Sequence, residues 1–152
     1  MAESVMVRIS WIEELMSNNY CTISLRIEGF KTDPIDICRA LKMEPTILKR
    51  INDPRVDGKG NILQGVYKYN LCSFKIAKKE EFNQFEGIVK ELMHVLSEHK
   101  DLLKKIRTEG GSIDCFIGWF TGFNSGFVLN HSLLRQMGEL GIDLRFDIYG
   151  ED

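Results

Sequence analysis

Three histidines and four cysteines are the residues of this chain best suited to nucleophilic, acid–base or metal chemistry. Their spacing argues against all three. His94 and His99 stand five apart in a helical pattern, about 140° round from each other, so they do not share the face a joint metal site needs. His131 follows Asn130, a capping residue, and reads as part of a first helical turn. Cys21, Cys38, Cys72 and Cys115 contain no C-x-x-C pair, and each sits among apolar neighbours, where a free thiol behaves as a small hydrophobe. The glycine-rich stretch 118–126 lacks the Lys-Ser/Thr that grips phosphate. Asp57-Gly58-Lys59-Gly60 lacks the alternating acids and terminal Glu of a cation loop. The expectation is no catalytic set, no metal and no cofactor, which leans away from an enzyme.

Two groups remain as binding candidates. Strand alternation sends Thr22, Ser24, Arg26 and Glu28, then Asp114 and Phe116, then Arg145, Asp147 and Tyr149 to one face of a sheet. Aromatics and Arg dominate interface energetics, so Arg26, Phe116, Arg145, Asp147 and Tyr149 are the expected protein-binding residues. Phe123, in the aromatic turn Trp119-Phe120-Thr121-Gly122-Phe123-Asn124, joins them if it is exposed. The plainer account of this face is a solvated surface with cross-strand ion pairs. The second group lies in residues 46–65, the longest irregular stretch, where Arg50, Arg55 and Lys59 could hold an anion against the aromatic turn. Solvated loop charges are the plainer account there.

Composition narrows the partners. With 152 residues, 43 % hydrophobic and 28 % charged, the chain has the make-up of one globular domain that needs no metal or disulfide staple. A formal charge of −2 advertises neither nucleic acid nor an anionic membrane. The charge is uneven: the span 109–152 has seven acids against two arginines, a net −5, whereas 31–59 has seven bases against five acids, a net +2. A basic partner could be steered to the C-terminal third. No segment reaches the roughly 20 apolar residues of a membrane span, and Glu3 stands where a secretory signal would be basic. A reducing cytoplasm is the expected location.

The elements that must position these residues follow from periodicity. Residues 1–19 are an N-terminal extension that reads as either strand or helix, with the helix favoured. Residues 20–150 form one domain. Cys21, Ile23, Leu25 and Ile27 alternate with polar residues as a strand that Gly29 ends; Asp33 and Pro34 open a short helix with Ile35, Cys38 or Ile37, and Leu41 inward. A strand over 66–76 changes face near Leu71-Cys72, which suggests a bulge. Phe82, Phe85, Val89, Leu92, Leu96, Leu103 and Ile106 keep helical spacing, interruptible at 97–101 and ended by Gly110-Gly111. Ile113 to Trp119 is a strand, Gly126 to Leu129 its hairpin return, Asn130 to Gly141 a capped helix, and Leu144, Phe146 and Ile148 the inner face of a last strand. The order β-α-β-α-β-β-α-β predicts an α+β two-layer sandwich: a five-stranded, mostly antiparallel sheet with helices on one face.

Several of these blocks also resemble a known family. Ser24-Leu25-Arg26-Ile27 with Gly29, Asp33-Pro34, Glu44-Pro45-Thr46, Asp53-Pro54-Arg55, Gly118-Trp119-Phe120, Gly126-Phe127-Val128-Leu129 and the 140–150 ending are similar to a bacterial family of uncharacterised proteins, domain of unknown function 4279. The resemblance spans residues 20–150. It implies bacterial origin and a compact α+β domain, and it brings no catalytic residues. Two functions compete: a non-catalytic protein-binding module, of the immunity type that blocks a toxin, and a small-molecule or anion binder or small enzyme at the 46–65 loop. The first is favoured; self-association as a homodimer through an edge strand is compatible with either.

Overall fold

The structure, a computed structural model, describes residues 19–122 and 124–150. The N-terminal extension and Phe123 fall outside them, apart from Asn19. Strand β1 (Tyr20–Glu28) alternates as expected: Cys21, Ile23, Leu25 and Ile27 are buried and the residues between them half-buried. Gly29 turns the chain at φ +77°, where an L side chain would be strained. Helix α1 (Pro34–Leu41) starts on its cap, the Asp33 carboxylate accepting from the Ile35 N–H at 2.9 Å, with Pro34 at the first position. Ile37 and Leu41 face the core, while Ile35 is 42 % exposed.

Residues 46–65 are not the irregular loop expected. They hold β2 (Ile47–Lys49) and a separate two-stranded ribbon, β3 (Pro54–Val56) with β4 (Ile62–Val66). Asp57 makes the ribbon's turn, its carboxylate accepting from the backbone N–H groups of Lys59 at 2.8 Å and Asn61 at 2.9 Å. The strand expected at 66–76 begins later, as β5 (Leu71–Glu80). Asn70 is the reason. It is buried, its amide donates to the Phe30 carbonyl at 3.0 Å, and its side-chain oxygen accepts from the Ile51 N–H at 2.7 Å. Those bonds tie the chain to two neighbouring loops just before the ladder starts. The register between β1 and β5 shifts beyond the Ser24–Lys75 pair, so the bulging lies there and not near Leu71-Cys72.

A 3-10 turn (Phe82–Gln84) leads into α2 (Phe85–Ser97) and α3 (Lys100–Thr108), so the helical pattern breaks at Glu98 and His99. Gly110, at φ +89°, ends it, and the Gly111 N–H bonds to the Ile106 carbonyl at 2.9 Å. Strand β6 (Ser112–Thr121) buries Ile113, Cys115 and Ile117. The expected hairpin is absent: residues 124–130 form neither strand nor helix. Instead α4 (His131–Leu140), capped by Asn130 and closed by left-handed Gly141, carries the chain to β7 (Asp143–Gly150), which pairs parallel to β6. Phe127 explains the difference, since its ring packs 4.7 Å from Phe85 and 4.5 Å from Trp119 (centroid to centroid) and plugs the core instead of joining the ladder. A parallel pair also needs a crossover, which α4 supplies.

The main sheet runs β2-β5-β1-β6-β7, antiparallel except at its last pair. The α+β class and the five-stranded, mostly antiparallel sheet therefore stand, with β2 as the fifth strand in place of 126–129. Buried residues of the four described helices, among them Ile37, Met93, Leu96, Leu103 and Leu133, join the inner face of β1 and β6 in one core. Among the described residues no helix is long and apolar enough to cross a membrane.

Candidate functional site: the outer sheet face

Because the helices send their apolar sides into one core, the even-numbered residues of β1 and their partners make the opposite face. The register lays them out in rows. Arg26 pairs with Asp114, which pairs with Asp143; Ser24 with Phe116 and Arg145; Thr22 with Gly118 and Asp147; Tyr20 with Phe120 and Tyr149. Five of the residues proposed from sequence (Arg26, Phe116, Arg145, Asp147 and Tyr149) thus share one face across three strands. Arg55 lies elsewhere, on the β3–β4 ribbon.

The chemistry of this face is more organised than alternation alone requires. Arg145 Nη2 is 3.2 Å from Asp114 Oδ2, and the Arg26 guanidinium sits 5.4 Å from the centre of the Phe116 ring. The Asp114 side chain is only 3 % exposed, and its Oδ1 has no hydrogen-bond partner among the described residues. Burial pushes the Asp114 carboxyl above its ordinary range, against the pull of Arg145 and Arg26, with Glu28 and Asp143 pushing it further up. At the far end of the strands Tyr20 stacks on Phe120 with centroids 4.5 Å apart and Phe120 on Tyr149 at 4.6 Å, while Lys79 Nζ lies 4.7 Å from the Tyr20 ring. Tyr20, Phe120 and Lys79 are contributors that the sequence reading missed. Extending the alternation of β1 and β6 by one row at that end would have found the two rings; Lys79 carries no such signal, because the register shifts in β5 intervene.

Gly118 sits in the middle of the face. A Cβ there would come within 2.5 Å of Thr22 Oγ1 and 3.3 Å of the Phe120 ring, so only glycine leaves both side chains where they are. Trp119 points the other way, into the core beside Phe82 at 4.9 Å and Phe127, with its indole N–H unpartnered among the described residues.

The residues weighed for catalysis remain dispersed. His94 lies on α2, His99 caps α3 and His131 opens α4. Among the described residues no three His, Cys, Asp or Glu side chains group as a metal set. All four cysteines are free; burial raises each thiol, Cys115 to about 12, leaving little nucleophilic thiolate near neutrality. Cys38 and Cys72 do approach, with sulfurs 3.9 Å apart, a neighbourhood invisible in their separation along the chain. An anion site was expected between the 46–65 segment and an aromatic hairpin. The hairpin is absent, and Arg50 is held by the Asp33 carboxylate at 2.8 and 2.9 Å. Lys59 sits in the ribbon turn.

The fold and this face define a small α+β domain whose described helices cover one surface of the sheet. The chain belongs to the family described as a domain of unknown function (DUF4279), whose model matches residues 19–151. No curated protein and no solved structure matches it.

Proposed function

We propose that the protein is a non-catalytic binding module of the bacterial cytoplasm, of the immunity type, which takes a protein partner on the outer face of its sheet. The observation that carries this reading is the stacked run Tyr20–Phe120–Tyr149, flanked by Lys79, on the same face as Arg145 and Arg26, which stand two and three rows further along the strands. Rings already locked against each other lose little rotamer freedom on binding, so their contact energy is not spent on ordering them. Aromatics and Arg set in such an array have the composition of interface hot spots. Asp143, Asp147 and Glu28 at the margins, with the −5 charge of the C-terminal third, favour a partner whose contact surface is basic.

The test is recovery of a stoichiometric protein partner from the producing cells with the tagged full chain, followed by affinity measurement on variants. Tyr149→Ala or Arg145→Glu should weaken the complex by about 30-fold or more, the scale of a hot-spot truncation. Equal affinity for the unaltered chain, Tyr149→Ala, Arg145→Glu and Asp147→Lys would remove this face from the interaction.

A further inference from the structure

We propose a second site, independent of the sheet face: the cavity between the β3–β4 ribbon and residues 67–69 binds a small phosphate-bearing anion that carries a planar ring, of the nucleoside monophosphate class. The cavity is open on one side and measures about 330 Å³, at the lower end of the range for small-molecule sites. Lys49 from β2, Arg55 from β3 and Lys68 converge on it, and no acidic residue lines it among the described residues. Of the acids nearby along the chain, Asp53 is not among the lining residues, and two others are engaged elsewhere. Asp33 is held by Arg50, and Asp57 by the N–H groups of its own turn. None of the three cations has an ion-pair partner among the described residues. Gathering three like charges around one concavity is unfavourable, and a dianion reverses the sign of that interaction. Arg55 can meet two phosphate oxygens with its planar fork, while the lysines act as point charges.

The walls supply the ring specificity. Tyr67 is fixed, its hydroxyl accepting from the Val56 N–H at 3.1 Å and Lys49 Nζ lying 5.5 Å from its ring centre. Tyr69 is 46 % exposed and lines the same cavity, with Val66 beside it. Two tyrosines and an apolar floor give a stacking surface for a flat heterocycle.

Titration calorimetry on the full chain at low salt, with adenosine 5′-monophosphate, inorganic phosphate and adenosine as probes, tests both halves. The nucleotide should bind saturably, with inorganic phosphate weaker by about tenfold and adenosine not saturating below ~10 mM. Arg55→Ala and Lys68→Ala should each weaken the nucleotide by about fivefold or more without lowering Tm. Lys59→Ala and Arg145→Glu should leave nucleotide binding unchanged, which keeps this site separate from the sheet face. No saturable binding of nucleotide or phosphate, or binding indifferent to Arg55→Ala and Lys68→Ala, overturns the site. Adenosine binding as well as the nucleotide overturns its anionic half, and phosphate binding as well as the nucleotide overturns the ring.

Discussion

Asp114 is the residue at which local pattern and environment disagree. Its position in β6 assigns it to the wet face, yet it is 2 % exposed, flanked in the register by Arg26 and near Arg145. Its raised pKa has a defined consequence for stability. A carboxyl that holds its proton more tightly folded than unfolded contributes most when protonated, below the ordinary value of 3.8. That contribution is lost as pH rises through the folded value. Asp114→Asn keeps the shape and removes the ionisation, and Arg145, half-exposed, can turn to water. The Tm of Asp114→Asn minus that of the unaltered chain should therefore be more positive at pH 7 than at pH 3. A gap that is constant or reversed between those conditions contradicts the assignment. The sequence places Asp114 on this face through alternation; that it is buried there is visible only in the tertiary structure.

At the scale of elements, β1, β6 and the three capped helix starts or stops at Asp33, Asn130 and Gly141 were legible because each rests on local chemistry: a period of two, an Asx side chain on a free N–H, a glycine at positive φ. The 124–130 segment was not. Its apolar residues look like a strand, and only their packing on Phe85 and Trp119 says otherwise. The join between β1 and β6 at Gly118 gives the element-scale prediction. Gly118→Ala should cost about 1–3 kcal/mol by driving Thr22 off its rotamer, read as a lower denaturant midpoint at unchanged slope. Adding Thr22→Ala should restore most of that loss. If the double variant is no more stable than Gly118→Ala, the contact with Thr22 is not the constraint.

For the whole molecule, the buried core formed by the described residues runs from Cys21 to Ile142. A chain starting at Asn19 keeps that core and is expected to unfold in one cooperative transition, with a Tm within about 4 °C of the full chain, the shift that 1 kcal/mol makes in a domain near 150 residues. Loss of the transition in a thermal melt would show that residues 1–18 belong to the folding unit. Light scattering on the same two chains reads self-association, for which β7 is an edge among the described strands with Ile148 67 % exposed, whereas the far end of β5 is guarded by exposed Lys75, Lys78 and Lys79. The sequence by itself determined the class of fold, the inner and outer faces of the strands and the helix caps, since these follow from residue period and short-range hydrogen bonds. Tertiary structure alone decided that β7 lies parallel to β6, that β2 and a ribbon occupy 46–65, and that three cations from β2, β3 and residue 68 share one cavity. Each of those depends on contacts between residues distant along the chain, which no local pattern encodes.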